Sequence, residues 1–450
     1  MNINPKNTKD NISKHMLADG MSQIIDLEKS HGSWLVDGRD NRQYLDLFSM
    51  FASLSVGYNH PYILKNKERL LTSALNKPTN SDVYSVEMAE FVNTMNRVAQ
   101  PEYLPHSFFI EGGGLAVENA LKAAFDWKVK KNLKSGKGKK GSMIIHFKEC
   151  FHGRTGYTMS LTDSPDPRKT MYFPKFEWPR VLNPKINFPI DENIDEVIKS
   201  EKISLDQIKD ALVKNKDEIA ALIIEPIQGE GGDNHFRCEF FKELRTLANE
   251  NDFLLIYDEV QTGIGITGSM WAHQSFNPNI CNCNCDNSNI LPDIISFGKK
   301  TQVCGIFASN RLDEVEDNVF NQSSRLNSTW GGSLVDMVRF TLYLEIIENE
   351  NLLENANKMG KELGDQLIKL QKKHPNLISN ARNRGLFGAF DFPDPETRDK
   401  VNDMILEEGT MMLGCGTKTI RFRPHLNISK SELEDGFGMI DNALGRFQKS

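Results

Sequence analysis

The chain has 450 residues, 39% of them hydrophobic and 26% charged, with a formal net charge of −7 at pH 7. That length supports one large core plus a second domain, and the acidic balance lacks the basic footprint that nucleic acid or an anionic membrane surface needs. No apolar run reaches transmembrane length, the first ten residues carry no apolar stretch, and seven cysteines are scattered, so we expect no membrane, no secretory signal and reduced thiols in the cytoplasm.

Residues 1 to about 30 read as a polar, partly helical arm. Ser33–Gly38 and Tyr44–Phe48 then read as two strands around the turn Asp37–Asn41. Phe108-Phe-Ile leads into Glu111-Gly-Gly-Gly114 and an alanine-rich helix. Glycines at a helix N-terminus let free N–H groups close around a phosphate. Lysine-rich Lys128–Lys140 has no aromatics and reads as a solvated surface loop. Met143–Phe147 is a strand, followed by Cys150-Phe-His-Gly-Arg154, where Phe151 could stack on a flat ring and Arg154 could fork onto a carboxylate. Residues 164–190, dotted with prolines, read as irregular loop.

Ala220–Glu225 and Phe253–Asp258 are apolar runs separated by a helix from about 238 to 250. Strand, helix, strand at this spacing predicts an α/β fold with a doubly wound, mostly parallel sheet. The next run, Asp293-Ile-Ile-Ser-Phe-Gly-Lys299-Lys300, fits a buried strand that delivers Lys299 to the sheet's carboxyl edge, where such sheets bind ligands. Desolvation there favours the neutral amine, which is the nucleophilic form. Four strand ends thus carry polar residues, namely Arg154, Glu230, Asp258 with Gln261, and Lys299, and we expect them to share one site.

Between Trp271 and Ile290 an Asn/Cys-rich tract places Cys281, Cys283 and Cys285 at a spacing unlike a zinc site, so it reads as a surface insertion with no metal. Ser324–Gly332 is a hydroxyl-rich turn. Beyond it come amphipathic helices (Val335–Asn349, Leu353–Lys373) and short strands near Leu386–Phe390 and Thr419–Phe422. The expected division is an arm with part of the small domain over 1–60, a large domain over 61–332, and a smaller α+β domain over 333–450.

An amine nucleophile, a buried carboxylate, an aromatic face, a phosphate cradle and two arginines are what pyridoxal phosphate requires. A phosphate-transfer enzyme is the rival, but Gly298-Lys-Lys-Thr301 does not fit a nucleotide-binding P-loop.

The blocks Glu111–Trp127, Phe151–Tyr157, Glu225–Asp233, Asp258–Gly263, Phe297–Gly305, Arg325–Gly332 and Arg421–Pro424 resemble the class III, fold-type-I pyridoxal-phosphate aminotransferases. Within them they are similar to the lysine 6-aminotransferase branch. The resemblance implies that Lys299 holds the cofactor and moves the proton, that Asp258 pairs with the ring nitrogen, and that Phe151 and His152 pack against the ring. It implies Gln261 at the ring hydroxyl, Gly113 and Gly114 at the phosphate, and Thr329 reaching the phosphate from the other subunit of a homodimer with shared sites. It also implies a substrate set of Arg154, Glu230, Gln261, Asn327 and Arg421, with L-lysine and 2-oxoglutarate as substrates.

Those two substrates must use one pocket. The α-carboxylate of 2-oxoglutarate pairs with Arg421, but lysine presents only methylenes there, and a bare buried guanidinium is unfavourable. Glu230 is suited to neutralise Arg421 in one half-reaction and swing away in the other. The rivals are a 4-aminobutyrate or ornithine donor on the same chemistry, and a catalytically silent cofactor-binding protein.

Overall fold

A computed structural model describes residues 3–276 and 287–449. The three insertion cysteines, whose reading as a non-metal surface segment is given above, lie outside those residues.

The arm forms a short 3-10 turn at Pro5–Asn7 and a helix at Thr8–Ser13. Strands β1 (Trp34–Val36) and β2 (Gln43–Asp46) pair antiparallel, with Trp34 opposite Leu45.

The central sheet has seven strands. In chain order they are β3 (His106–Ile110), β4 (Met143–Phe147), β5 (Arg180–Val181), β6 (Ile219–Ile224), β9 (Leu254–Asp258), β10 (Ile294–Phe297) and β11 (Cys304–Ala308). The small ribbon β7 (Ile227–Gln228) with β8 (Asn234–His235) follows β6. Spatially the order is β3-β11-β10-β9-β6-β4-β5, and β11 alone runs against its neighbours.

The strands are apolar on both faces because both faces are covered. Ala221 and Ile223 of β6 join one core cluster with Val117, Ala120 and Ala124 of the helix Gly113–Lys134. Leu222 and Ile224 point the other way and join Phe240, Phe241 and Leu244 of the helix Cys238–Glu250. The period-2 alternation therefore sorts side chains between two helical layers.

The C-terminal part builds a four-stranded antiparallel sheet, β12 (Ser379–Arg384), β13 (Phe387–Asp391), β16 (Thr419–Phe422) and β15 (Leu413–Cys415), in that spatial order. The helices Leu352–Lys373, Pro395–Glu408 and Lys430–Phe447 accompany it. Strand β14 (Thr410–Met411) pairs parallel with β2, which ties the N-terminal hairpin to this part of the chain.

Several elements differ from the sequence reading. The lysine-rich stretch is not all loop, since the helix from Gly113 runs unbroken to Lys134 until Gly136 interrupts it. Lys128 is buried and donates to the Asp252 carbonyl at 2.5 Å. Ile190–Lys214 is a long helix that the reading did not assign, and β11 and β12 were likewise unread. Cys150, Cys304 and Cys415 are free buried thiols, whereas Cys238 is disulfide-bonded, so the expectation of reduced thiols fails there. The segment Asn287–Ile290, returning from the insertion, packs against the helix that Cys238 opens. Among the described residues, no helix is long and apolar enough to cross a membrane.

Candidate active site

The four strands whose ends carry polar residues are adjacent and parallel, in the order β10-β9-β6-β4, so their carboxyl ends open on one edge. There a cavity of about 210 Å³ is lined by Gly113, Gly114, Phe151, His152, Gly153, Glu225, Asp258, Val260, Gln261 and Lys299.

Lys299 follows β10 after Gly298 and adopts φ 53°, a left-handed conformation that is costly for a residue with a Cβ. Burial, and after it the Arg421 guanidinium, hold its amine below the ordinary lysine range, against the pull of Glu230. Its Nζ donates to the Phe51 carbonyl at 3.3 Å. That carbonyl belongs to an unusual turn, because Ser49, Met50, Phe51 and Ala52 all have φ between 42° and 60°. Asp46 caps the turn by accepting the N–H groups of Phe48 at 2.9 Å and Ser49 at 2.6 Å, while the Tyr58 hydroxyl donates to its other oxygen at 2.6 Å. Burial pushes the Asp46 carboxyl up to about 6, opposed by the hydrogen bond from Tyr58.

Asp258 ends β9 and is buried. His152 Nδ1 bonds its Oδ2 at 2.8 Å, and the Val260 N–H donates to its Oδ1 at 3.1 Å. His152 Nε2 is buried with no hydrogen-bond partner among the described residues. Glu225 accepts the N–H groups of Phe151 at 2.9 Å and Gly229 at 3.0 Å, one on each oxygen, and so couples the ends of β4 and β6. Burial, then the charge of Asp258, pushes its carboxyl well up.

Gly113 and Gly114 open the long helix, with Gly112 at its N-cap at φ 97°. A Cβ on Gly113 would come within 3.2 Å of Val260 Cγ1, so the valine side chain would have to give by a few tenths of an ångström to admit one. A Cβ on Gly229 would lie 2.3 Å from Gln261 Oε1, so Gln261 packs directly on that backbone.

Glu230 and Arg421 stand beside this cavity. Arg421, on β16, is buried and its Nη1 lies 3.2 Å from Glu230 Oε2. The other Glu230 oxygen accepts from Lys169 Nζ at 2.8 Å. Burial pushes Glu230 up, but Arg421 and Lys169 outweigh it and hold the carboxyl below its ordinary range.

The structure thus gathers Lys299, Asp258, Gln261, Gly113, Gly114, Phe151 and His152 around one cavity, with Glu230 and Arg421 at its side. Within one chain it does not gather the rest. Arg154 is exposed and does not line the cavity, and Asn327 and Thr329 are exposed on a loop whose Gly331 packs against Asn80 and Ser81. Three contributors escaped the sequence reading. Glu225 carried a signal, since a carboxylate abutting an all-apolar strand has to be satisfied. Lys169 in a proline-rich loop and the left-handed turn at Ser49–Ala52 carried none.

The residues present fit pyridoxal phosphate. A depressed amine, a buried carboxylate, an aromatic wall and glycines at a helix N-terminus converge on one cavity, with a buried imidazole nitrogen left unpartnered.

Comparison with known proteins agrees. The family model described as Aminotransferase class-III matches residues 16–444. The chain is similar to the L-lysine-epsilon aminotransferase of Amycolatopsis lactamdurans, at 45% identity over 437 residues that cover 96% of this chain and 94% of the relative. It is similar to the human mitochondrial 4-aminobutyrate aminotransferase at 32% identity, covering 91% of this chain and 82% of that one. Among solved structures, the lysine aminotransferase from M. tuberculosis in the internal aldimine form superposes with a TM-score of 0.94 at 45% identity, covering 99% of this chain and 100% of that one. The chain belongs to the class-III aminotransferases, enzymes that work with pyridoxal phosphate.

Proposed function

We propose that this enzyme moves the ε-amino group of L-lysine to 2-oxoglutarate, giving 2-aminoadipate 6-semialdehyde, which cyclises, and L-glutamate. The observation that carries the reading is the Glu230–Arg421 pair, a masked guanidinium at the edge of the cavity that holds Lys299. The similarity to L-lysine-epsilon aminotransferases supports the same donor.

When bound, pyridoxal phosphate supplies an aldehyde that takes up the amino group and a ring that draws electrons from the carbon losing its proton. Lys299 would hold the aldehyde at rest, and its Nζ, whose hold on a proton burial weakens, would take the proton from the carbon bearing the amine. Asp258, steadied by His152, would hold a proton on the ring nitrogen. Phe151 would cover the ring, Gln261 would meet its hydroxyl, and Gly113 and Gly114 would receive the phosphate at the helix N-terminus. Glu230 covers Arg421 while lysine reacts and yields it to the α-carboxylate of 2-oxoglutarate. Arg154 takes the carboxylate distant from the reacting carbon, assisted by Asn327.

The working unit is a homodimer. Thr329, exposed and outside the cavity of its own chain, completes the phosphate site of the partner, and apolar Val83, Tyr84, Val86 and Trp330 nearby are exposed for burial against a second copy. The domain division stated above goes with this reading. For location we keep the cytoplasm, which the free thiols Cys150, Cys304 and Cys415 favour and the disulfide at Cys238 opposes.

The test is the visible spectrum of the cofactor-loaded protein on adding L-lysine without a keto acid. The cofactor band shifts and the solution yields a cyclic imine. A band that ignores lysine but responds to 4-aminobutyrate or ornithine replaces the donor, and a band that responds to no amine makes the protein a silent binder.

A further inference from the structure

Glu230 can change partner only if its side chain moves, because the backbone around it is clamped. The Gly416 N–H donates to the Glu230 carbonyl at 2.8 Å. Arg382 donates to the carbonyls of Gly232 at 2.5 Å and Asp233 at 2.9 Å, and the Asp233 carboxylate accepts from Arg423 Nη1 at 2.8 Å. A Cβ on Gly231 would lie 2.0 Å from the Glu149 carbonyl, so the loop has no room to shift as a body.

The side chain already touches a second cation. Its Oε1 accepts from Lys169 Nζ at 2.8 Å while its Oε2 faces Arg421 Nη1 at 3.2 Å. Lys169 closes the short turn Pro167–Lys169, its side chain is 26% exposed, and its Nζ also lies 5.8 Å from the Phe151 ring centroid.

We propose that Lys169 is the second pole of the substrate switch, a positioning residue that keeps Glu230 paired when the α-carboxylate of the keto acid takes Arg421. The inference rests on the dual-substrate reading above. Without an acceptor, one carboxylate bridges two cations. When the acceptor binds, two carboxylates face the same two cations and each group retains a partner. Glu230 therefore exchanges a bridge for a single ion pair and is never left alone in a partly desolvated pocket, where an unpaired charge is strongly disfavoured. Lysine, which brings no carboxylate to Arg421, leaves the bridge intact. Lys169 thus acts on the acceptor half-reaction and not on the donor half-reaction.

The test follows both half-reactions by single-turnover absorbance in the cofactor-loaded dimer, for Lys169→Met, Lys169→Arg, Glu230→Ala and the Lys169→Met/Glu230→Ala pair. In Lys169→Met the apparent affinity for 2-oxoglutarate falls about tenfold while the rate with L-lysine stays within about twofold. Lys169→Arg restores the affinity, and in the Glu230→Ala background the Lys169→Met change has no further effect. Equal losses in both half-reactions, an unchanged affinity for 2-oxoglutarate, or an undiminished loss in the Glu230→Ala background each overturn the role. Wild-type enzyme that reacts with L-glutamate but not with L-lysine overturns the donor reading instead, and the affinity for 2-oxoglutarate still decides for or against Lys169.

Discussion

Asp258 ends strand β9 of the central sheet and Glu230 lies in the turn between β7 and β8 beyond the end of β6, and the two carboxylates have different surroundings. Asp258 is 4% exposed, with one oxygen held by His152 and the other by the Val260 amide on its own turn. Glu230 has a side chain 24% exposed, and its two oxygens face two different cations, Lys169 and Arg421. A charge needed in both half-reactions is walled in by short-range partners that cannot leave. On the proposed mechanism, a charge that has to be traded is placed between two alternatives and kept partly wet. The cofactor end is built for permanence and the substrate end for exchange.

The largest expected effect lies at the permanent end. Asp258→Ala removes one member of a buried pair and lowers both half-reactions by the same factor, about 10²-fold or more, in single-turnover measurements with lysine and with glutamate. A loss confined to one substrate would erase the distinction. At the exchanging end, Glu230→Ala exposes Arg421 to the lysine methylenes, and lysine turnover falls about tenfold further than glutamate turnover. Equal losses would show that Glu230 does not discriminate between the substrates.

A smaller effect measures how far the two ends communicate. Burial comes first in lowering the Lys299 pKa and Arg421 second, so uptake of pyridoxal phosphate by cofactor-free enzyme levels off at a pH below the ordinary lysine range. Arg421→Met moves that profile to higher pH, because a neighbouring positive charge that disfavours the ammonium has gone. An unmoved profile would leave burial as the whole cause.

The smallest effect concerns stability. Asp46 keeps its proton in the folded chain up to about pH 6 but loses it near 3.8 when unfolded, so between those values the native state binds more protons. Its contribution therefore declines as pH rises through that window. Asp46→Asn abolishes the decline, and urea midpoints of the two proteins, measured from pH 4 to pH 6.5, diverge if this holds and run parallel if it does not.

Much of the permanent end was legible in the chain. Apolar runs ending in Asp258 and Lys299 predict buried parallel strands because only a doubly covered sheet tolerates them, and the glycines before Leu115 predict a helix start. The helix Ile190–Lys214 was hidden by a polar, acidic sequence in which few positions are buried. Strand β11, Cys304-Gly-Ile-Phe-Ala308, was hidden because it is short and follows an irregular turn. Arg154, Asn327 and Thr329 were chosen through resemblance, and none of them lines the cavity within a single chain. Lys169 reaches Glu230 across 61 positions of intervening chain, a pairing that no local pattern encodes.

The turn from Ser49 to Ala52 has a practical consequence. L-residues in left-handed helical geometry cost roughly 1–2 kcal/mol each, and here four come in succession with no glycine among them, above the one lysine on which the chemistry depends. The common advice to keep glycine out of a designed catalytic pocket is therefore reversed at these positions. Glycine at Phe51, an exposed side chain, would relieve native strain at the carbonyl that accepts from Lys299, whereas glycine at Met50 would also give up packing against the cluster of Leu35, Tyr44, Phe48 and Tyr58.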